Sequence, residues 1–351
     1  MPGIDINVIL LVFVGLGAGV LSGFAGVGGA FIVTPALIIL GFPAHLAVGT
    51  SLTWVVGKSI IAVIGHRKLG NVDMKLGLVL LVAAMGGMEV GVRILNRTTN
   101  LGLADEVVLS ISICLLFAVG GYTLVECGAR KKHLDRMLAK KEKPPPAMRA
   151  TALSQKLHSI NLPPRLHFAK SGVTVSLWIV LAVGFFIGML SGLIGVGGGF
   201  IMVPALVYLV GIPSFMAVGT DLFQIIFSAA YGAARHFMSG NVVIFASLIM
   251  IAASGIGVQF GVLVTRYVRG VSVRCILGIS IIIAGIGSIL KLADTLLEKS
   301  VAGLEIGSLV VLFSGMGLAV VMILTLFIMA IRYRRGQYIP TWIKSLVARE
   351  E

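Results

Sequence analysis

Six long apolar runs dominate the sequence, at about residues 76–95, 104–126, 172–191, 241–265, 271–290 and 304–331. A hydrocarbon core about 30 Å thick takes roughly 20 apolar residues of helix to cross. The short alternating segments typical of a membrane β-barrel are absent from the sequence. Only 12% of the residues are charged, about half the share found in soluble domains. The sequence therefore predicts an all-α polytopic membrane protein.

One stretch of the sequence occurs twice. Residues 22–52 and 191–222 share 19 identical positions out of 31 when the chain is shifted by 169 residues, with one extra residue, Val210, in the second copy. In each copy a glycine-rich stretch, "SGFAGVGG" or "SGLIGVGG", precedes a short apolar piece, Phe31–Leu40 or Phe200–Val210. At 1.5 Å per residue these pieces reach only about 15–18 Å. We expect them to be half-helices created by a glycine break.

The two copies are expected to face opposite sides of the membrane, because each contributes an odd number of crossings. The basic turn "HRKLGN" of the first copy becomes "HFMSGN" in the second, and basic residues favour the cytoplasm. This orientation places 22 of the 28 Lys and Arg residues on the cytoplasmic side of the membrane, with a cytoplasmic C-terminus. The predicted domains are a first repeat over 1–126, a basic cytoplasmic loop over 127–170, a second, inverted-topology repeat over 171–292, and an appended C-terminal transmembrane helix with its tail over 293–351.

The net charge of +14 is explained by this orientation and not by nucleic-acid binding. Basic residues in the central loop set topology and attract anionic membrane lipids; a regulatory or partner-binding role for that loop is the alternative. A homo-oligomer is compatible with these features. The three cysteines, Cys114, Cys127 and Cys275, form no close pair in the sequence, so we predict a packing role for them.

The duplicated glycines have two interpretations. In the first, small residues let helices pack closely, which suits Gly15, Gly17, Gly19, Gly255, Gly257 and Gly261. In the second, favoured one, the glycines open the backbone so that N–H groups and a half-helix N-terminus bind an anion. The residues predicted to bind in this way are Gly26, Gly28 and Gly29 in the first copy and Gly195, Gly197, Gly198 and Gly199 in the second. A dinucleotide-binding loop is excluded because no strand precedes either motif.

Polar residues inside the apolar segments are further candidates. Lys58 either faces an anion or is a paired or snorkelling lysine. Thr50, Ser51 and Thr220 either offer hydroxyl groups to a ligand, with Asp221 exchanging protons, or Ser51 and Asp221 cap the following helix.

A second carboxylate inside an apolar segment is Glu89. Proton coupling is one role for it, and an ion pair with Arg93 four residues later is the other. His66 and His236 occupy equivalent positions beside Gly-Asn turns, where we expect them to anchor those turns.

Both copies carry the pattern "GxxGVGGxFIxxPAL" followed by "AVGTSL" or "AVGTDL". This pattern, over about residues 8–290, resembles the TauE/SafE family of sulfite and organosulfonate exporters. The resemblance implies an integral membrane transporter for sulfur-containing anions such as sulfite, sulfoacetate or related sulfonates. The basic central loop and the last helix are longer than the family pattern, and membership does not determine the substrate.

These observations favour a secondary transporter that exports a sulfur-containing anion, coupled to the proton gradient. A transporter of another small organic or inorganic anion is the first alternative. A membrane-embedded enzyme or assembly factor is the second, although the sequence lacks a nucleophile with a base or a metal-binding pattern in its helices. No P-loop for ATP occurs in the sequence, and no cofactor is expected.

Overall fold

The computed structural model describes residues 7–25, 29–68, 70–140, 163–265, 267–268, 270–297, 302–335, 337–338 and 340. Within these ranges the chain is almost entirely helical. The first repeat consists of α1 (Val8–Ala25), α2 (Ala30–Ile39), α3 (Ala44–Lys68), α4 (Met74–Asn100) and α5 (Ala104–Lys140). The second consists of α6 (Leu177–Ile194), α7 (Gly199–Ala205) with a π-helical continuation (Leu206–Val210), α8 (Ser214–Met238), α9 (Ile244–Thr265) and α10 (Gly270–Leu296), and the additional helix α11 (Ala302–Arg334) follows.

Seven of the described helices are long and apolar enough to cross a membrane. They are α3, α4, α5, α6, α9, α10 and α11, and six of them cover the apolar runs seen in the sequence. The helices α1 and α2 and the α7 segment are apolar but shorter. The prediction of an all-α polytopic membrane protein with an extra C-terminal helix is confirmed.

Equivalent helices of the two repeats run antiparallel to each other. Gly120 on α5 faces Ile281 on α10, whereas Phe117 on α5 faces Gly285. Residue numbers therefore increase along α5 in the direction in which they decrease along α10. The same holds for α3 and α8, where Gly49 faces His236 and Leu52 faces Gly232. An inverted-topology repeat requires this arrangement, because its two halves point in opposite directions.

Two helix pairs with glycine contacts join the repeats. The helix α1 packs against α9, and the equivalent helix α6 packs against α4. The first pair places Gly15 on Met250, Gly19 on Ser254 and Gly23 on Val258; the second places Gly184 on Leu80, Gly188 on Ala84 and Gly192 on Met88. Small residues allow such close approach. The packing role predicted for Gly15, Gly19, Gly257 and Gly261 is confirmed, and Gly17 packs on Met316.

A helix and a hairpin occupy the described ends of the predicted basic loop over residues 127–170, and its cytoplasmic location stays a prediction. The helix α5 continues to Lys140, so the proposed boundary at 126/127 falls inside a helix of 37 residues, about 55 Å long. At the other end, β1 (Arg165–Phe168) and β2 (Val173–Ser176) form an antiparallel hairpin with Phe168 opposite Val173. Residues 141–162, including the triple proline, lie outside the described residues.

The hairpin contacts the turn between α3 and α4. Asp73 caps α4 through the amide of Leu76 at 3.2 Å, and its second oxygen accepts a 2.7 Å hydrogen bond from the Ser171 hydroxyl. Lys75 donates to the carbonyl of His167 at 3.2 Å. The end of the central segment is therefore tied to the first repeat.

Two of the cysteines are paired, which corrects the prediction of a packing role alone. Cys127 on α5 and Cys275 on α10 form a disulfide with their Cα atoms 5.4 Å apart. Beside it, Arg274 forms an ion pair with Glu126 and donates to the hydroxyl of Tyr208 at 3.2 Å. The sequence hid this pair because 148 residues separate the two cysteines. Cys114 is free and exposed.

Candidate functional site

The glycine motifs interrupt a helix in both repeats. In the second, α6 ends at Ile194 and α7 starts at Gly199. Gly195, Gly197 and Gly198 have φ angles of 71°, 68° and 79°, which L-amino acids with a Cβ disfavour. In the first, Gly29 has a φ of 59° immediately before α2. Gly26 and Gly28 lie outside the described residues. The predicted breaks are present, and backbone conformation explains why glycine is used there.

The two broken segments meet inside the protein. The rings of Phe31 and Phe200, at the start of α2 and α7, lie 5.6 Å apart between centroids. A Cβ at Gly197 would be 2.9 Å from Val55 on α3 and 3.1 Å from Ile225 on α8. Because these pairs are equivalent in the duplicated sequence, the pseudo-twofold axis between the repeats passes here. Packing as well as backbone conformation therefore restricts Gly197.

Lys58 is completely buried in α3, next to the first break. Its ammonium group donates to the hydroxyl of Ser22 at 3.2 Å and lies 5.5 Å from the ring centroid of Trp54. Gly29 borders the same place, because a Cβ there would be 2.9 Å from Cβ of Ser22 and 3.4 Å from the Trp54 ring. The structure thus places a cation beside the opening of the first helix.

Asp221 on α8 is also completely buried. One carboxylate oxygen accepts a 3.2 Å hydrogen bond from the Gln224 amide. Its other oxygen and the amide oxygen of Gln224 have no hydrogen-bond partner within the described ranges. Asp221 and Lys58 are thus two buried groups of opposite charge. The alternative that Ser51 and Asp221 cap a helix is wrong, because they lie about two turns inside α3 and α8.

Thr50 and Thr220 connect the repeats. The hydroxyl oxygen of Thr50 accepts a 3.0 Å hydrogen bond from the amide of Val243, and that of Thr220 accepts an equal one from the amide of Asp73. Each threonine therefore satisfies backbone at the start of a helix in the other repeat. These contacts give both threonines a structural role and do not support the ligand-binding role expected for them.

A group of three buried hydroxyls lies near the second break. Thr34 on α2, Ser51 on α3 and Ser191 on α6 are 0%, 0% and 3% exposed. None of the three side-chain oxygens has a hydrogen-bond partner in the described part of the chain. Thr34 and Ser191 were not singled out in the sequence, because a lone hydroxyl in an apolar run is a weak signal. Gly199, at the start of α7, is also buried.

Glu89 is held in a network of donors. It accepts hydrogen bonds from Arg93 at 2.8 Å, from Tyr231 at 2.8 Å and from Arg235 at 2.7 and 2.9 Å. The predicted ion pair with Arg93 is confirmed. Tyr231 and Arg235 come from the second repeat, so this carboxylate fastens α4 to α8. Four donors on two oxygens favour a permanently ionised structural group over one that exchanges protons.

The side chain of His236 contacts another helix and not the turn beside it: its Nε2 lies 3.2 Å from the carbonyl oxygen of Gly192 on α6. Its contact with the turn is through the backbone, where the Asn241 amide donates to the carbonyl of His236 at 2.8 Å. The side chain of His66 lies outside the described residues. No group of three or more His, Cys, Asp or Glu side chains that could hold a metal occurs in the described ranges.

Comparison with known proteins agrees with this architecture. The sulfite exporter TauE/SafE family matches residues 11–288. The probable membrane transporter protein YunE of Bacillus subtilis is 25% identical over 79% of this chain and 95% of its own length. The probable membrane transporter protein YjnA of the same organism is 22% identical over 67% of this chain and 84% of its own length. The probable membrane transporter protein MJ0441 of Methanocaldococcus jannaschii is 26% identical over 56% of this chain and 60% of its own length.

No solved structure matches the chain significantly. The family match, in contrast, extends from α1 into α10 and includes both glycine breaks. The protein belongs to the sulfite exporter TauE/SafE family of membrane transporters.

Proposed function

We propose that this protein is a secondary transporter that exports a sulfur-containing anion, such as sulfite, sulfoacetate or a related sulfonate, across the bacterial inner membrane. Lys58 carries the proposal, with the first glycine break beside it. The family description supports a sulfur-containing substrate, and the relatives named above are called probable membrane transporters.

A buried lysine needs a reason, because a cation in the middle of a membrane helix costs about 2.5–3.5 kcal/mol on insertion scales. Part of that cost is offset by Ser22, by the Trp54 ring and by the charge of Asp221. An oxyanion that reaches Lys58 gains a charge-assisted hydrogen bond, worth about 1.5–3 kcal/mol. Gly29 has a φ of 59° and no side chain, so its backbone lies close to Ser22 and Trp54, the two residues that contact Lys58.

Asp221 is the group we propose to couple transport to the proton gradient. Lys58 and Asp221 are both buried and carry opposite charges, so the charge state of Asp221 affects how strongly the region around Lys58 attracts an anion. Its unsatisfied oxygen is available to take a proton. Glu89 is not part of this proposal, because its oxygens are occupied by Arg93, Tyr231 and Arg235.

The test measures flux of labelled sulfite in proteoliposomes containing the full chain. Lys58→Gln should lower the flux at least about tenfold, because tenfold corresponds to the loss of about 1.4 kcal/mol. Lys75→Gln is the matched control, since Lys75 is exposed and its ammonium group contacts only the hairpin, at the carbonyl oxygen of His167 and 5.9 Å from the ring centroid of Phe168. Unchanged flux in Lys58→Gln would contradict the proposed site.

A second variant separates transport from stability. Lys58→Gln leaves the buried charge of Asp221 without the opposite buried charge of Lys58, which should lower stability. The double variant Lys58→Gln/Asp221→Asn removes both charges and should regain thermal stability without regaining flux. Outward flux that ignores an imposed pH gradient would contradict the proton coupling.

A further inference from the structure

The buried hydroxyls near the second glycine break require a ligand that the protein itself does not supply. We name Thr34, Ser51 and Ser191 the hydroxyl cluster. They come from three different helices, and their oxygens have no partner in the described ranges. All three residues lie around Gly195. A Cβ there would be 3.0 Å from the Thr34 oxygen and 2.7 Å from Cα of Val48, one turn before Ser51, and the Gly195 amide donates to the carbonyl oxygen of Ser191 at 2.9 Å. An unsatisfied buried hydroxyl costs about 1–3 kcal/mol, so three of them around one glycine favour a bound species.

The pseudo-twofold axis shows what kind of species fits. Ser22 in the first repeat is equivalent to Ser191 in the second, and Lys58 is equivalent to Ser228. The oxygen of Ser22 accepts a hydrogen bond from the ammonium group of Lys58. In the second repeat the side chain of Ser228 carries no charge and is too short to reach as Lys58 does. At this position the first repeat has a tethered cation and the second has a neutral hydroxyl group.

The end of α6 also favours a cation. This helix has 18 residues and ends at Ile194, where Gly195 turns the chain away in a left-handed conformation. The last carbonyls of a helix carry partial negative charge. Broken helices in transporters use such carbonyl ends to coordinate monovalent cations. Hydroxyl oxygens complete a neutral oxygen shell, whereas Ca²⁺ and Mg²⁺ prefer carboxylates, and the cluster contains none.

We propose that the hydroxyl cluster and the carbonyl end of α6 bind a monovalent cation of the size of Na⁺. The cation would occupy the place that is pseudo-symmetric to the ammonium group of Lys58. This inference goes beyond the proposed anion site, which stands without it. A cation here offsets the charge that an anion brings into the same buried region. Na⁺ should therefore raise anion affinity, and the anion should raise Na⁺ affinity by the same factor.

The test is thermal unfolding of the full chain in detergent, titrated with NaCl against choline chloride at constant ionic strength. A ligand that binds only the folded state raises the midpoint temperature in a saturable way. We expect this response to Na⁺ and not to choline. Ser191→Ala should shift the Na⁺ concentration of half-effect at least about tenfold, a loss of about 1.4 kcal/mol. If Ser191→Ala does not fold, Ser51→Ala replaces it in this titration, with the same expected shift.

Two further variants use the symmetry of the molecule. Ser22→Ala is the matched control and should retain the Na⁺ response, because its hydroxyl serves Lys58. Ser228→Lys should remove the response while keeping the fold, since it places a tethered ammonium group where the ion binds. Loss of stabilisation by Na⁺ in both the Ser191 and the Ser228 variants supports the site.

Other outcomes overturn the cation assignment. One is the absence of any Na⁺-specific stabilisation; another is a Na⁺ response that both Ser191→Ala and Ser51→Ala retain. Stabilisation by choline sulfite that Ser191→Ala removes, with no effect of NaCl, would assign the cluster to the anion instead. Sulfite flux dependent on Lys58 but independent of Na⁺ would leave the proposed function intact and refute only this inference.

Discussion

The two repeats share their backbone contacts but differ in their charged side chains. In both, the glycine of an "AVGT" segment packs on the backbone of a Gly-Asn turn in the opposite repeat: Gly49 on Asn241 and Gly219 on Asn71. In both, the following threonine accepts a hydrogen bond from an amide two residues beyond that turn asparagine, at the same distance of 3.0 Å. These contacts follow the pseudo-twofold axis, so substitutions that break them in either repeat lose the same interaction.

The buried charges do not follow the axis. Lys58 is equivalent to Ser228, and Asp221 is equivalent to Ser51. A buried lysine in one repeat and a buried aspartate in the other therefore stand where the opposite repeat has serines. The two repeats therefore share one scaffold and differ in a few buried polar side chains. The proposed anion site lies at Lys58, and the proposed cation site lies at the equivalent place in the second repeat.

The largest expected effect concerns orientation, since labelling from one side is all or none. Met74 and Met238 lie next to the equivalent turns and are 44% and 76% exposed. In a variant lacking the three native cysteines, Met74→Cys and Met238→Cys should react with an impermeant maleimide from opposite sides of the membrane. Reaction of both from the same side would refute the inverted orientation and remove the basis for equating Lys58 with Ser228.

The next effect tests whether the two glycine-packed helix pairs are equally important. A Cβ at Gly19 would lie 2.7 Å from backbone atoms of Ser254, and its equivalent Gly188 is pressed against the backbone of Ala84. Gly19→Leu and Gly188→Leu should each lower stability by more than about 3 kcal/mol, because backbone cannot move aside as side chains do. Size-exclusion profiles and thermal unfolding in detergent measure this.

Gly121→Leu is the control for that experiment, since nothing lies within 4 Å of a Cβ there. It should behave like the unmodified chain. If only one of the two packed glycines tolerated leucine, the two helix pairs would not be equivalent and the symmetry would be limited to the centre of the molecule.

The smallest effect is expected at the paired threonines. Thr50→Val and Thr220→Val each leave a buried amide without its acceptor, which costs about 1–2 kcal/mol. The two variants should lower the free energy of unfolding by similar amounts. Thr53→Val is the control, because its hydroxyl only donates to the carbonyl of Gly49 in its own helix. A clear loss of sulfite affinity with unchanged stability would instead support a ligand-binding role for Thr50 or Thr220.

The sequence predicted the parts of the fold that depend on local pattern. Apolar runs of helical length identified the membrane segments, and glycine clusters ahead of short apolar pieces identified the broken helices. Lys58 and Asp221 stood out for the same reason: a charged residue is conspicuous inside an apolar segment. The hairpin at 165–176 and the continuation of α5 escaped prediction because the basic segment has no clear periodicity.

Residue pairing across the molecule could not be obtained from the sequence. Glu89 has a local partner, Arg93, which the spacing revealed, but Arg235 lies 146 residues away. Thr50 looked like a ligand-binding residue in its own segment, and only the docking of α9 showed that its oxygen serves the amide of Val243. Cys127 and Cys275 are likewise brought together by the packing of α5 on α10.

What the sequence by itself determined is the membrane class, the duplication, the helix breaks and the buried charges, because hydrophobicity and glycine act over a few residues. What only the tertiary structure decided is which buried polar groups have a hydrogen-bond partner and which do not. Hydrogen bonds between residues distant in the chain occupy Thr50, Thr220 and Glu89, whereas Ser51, Ser191 and one oxygen of Asp221 keep unused capacity. Whether a buried polar atom has a hydrogen-bond partner depends on its neighbours in space, and those neighbours are set by how the ten described helices of the two repeats pack together.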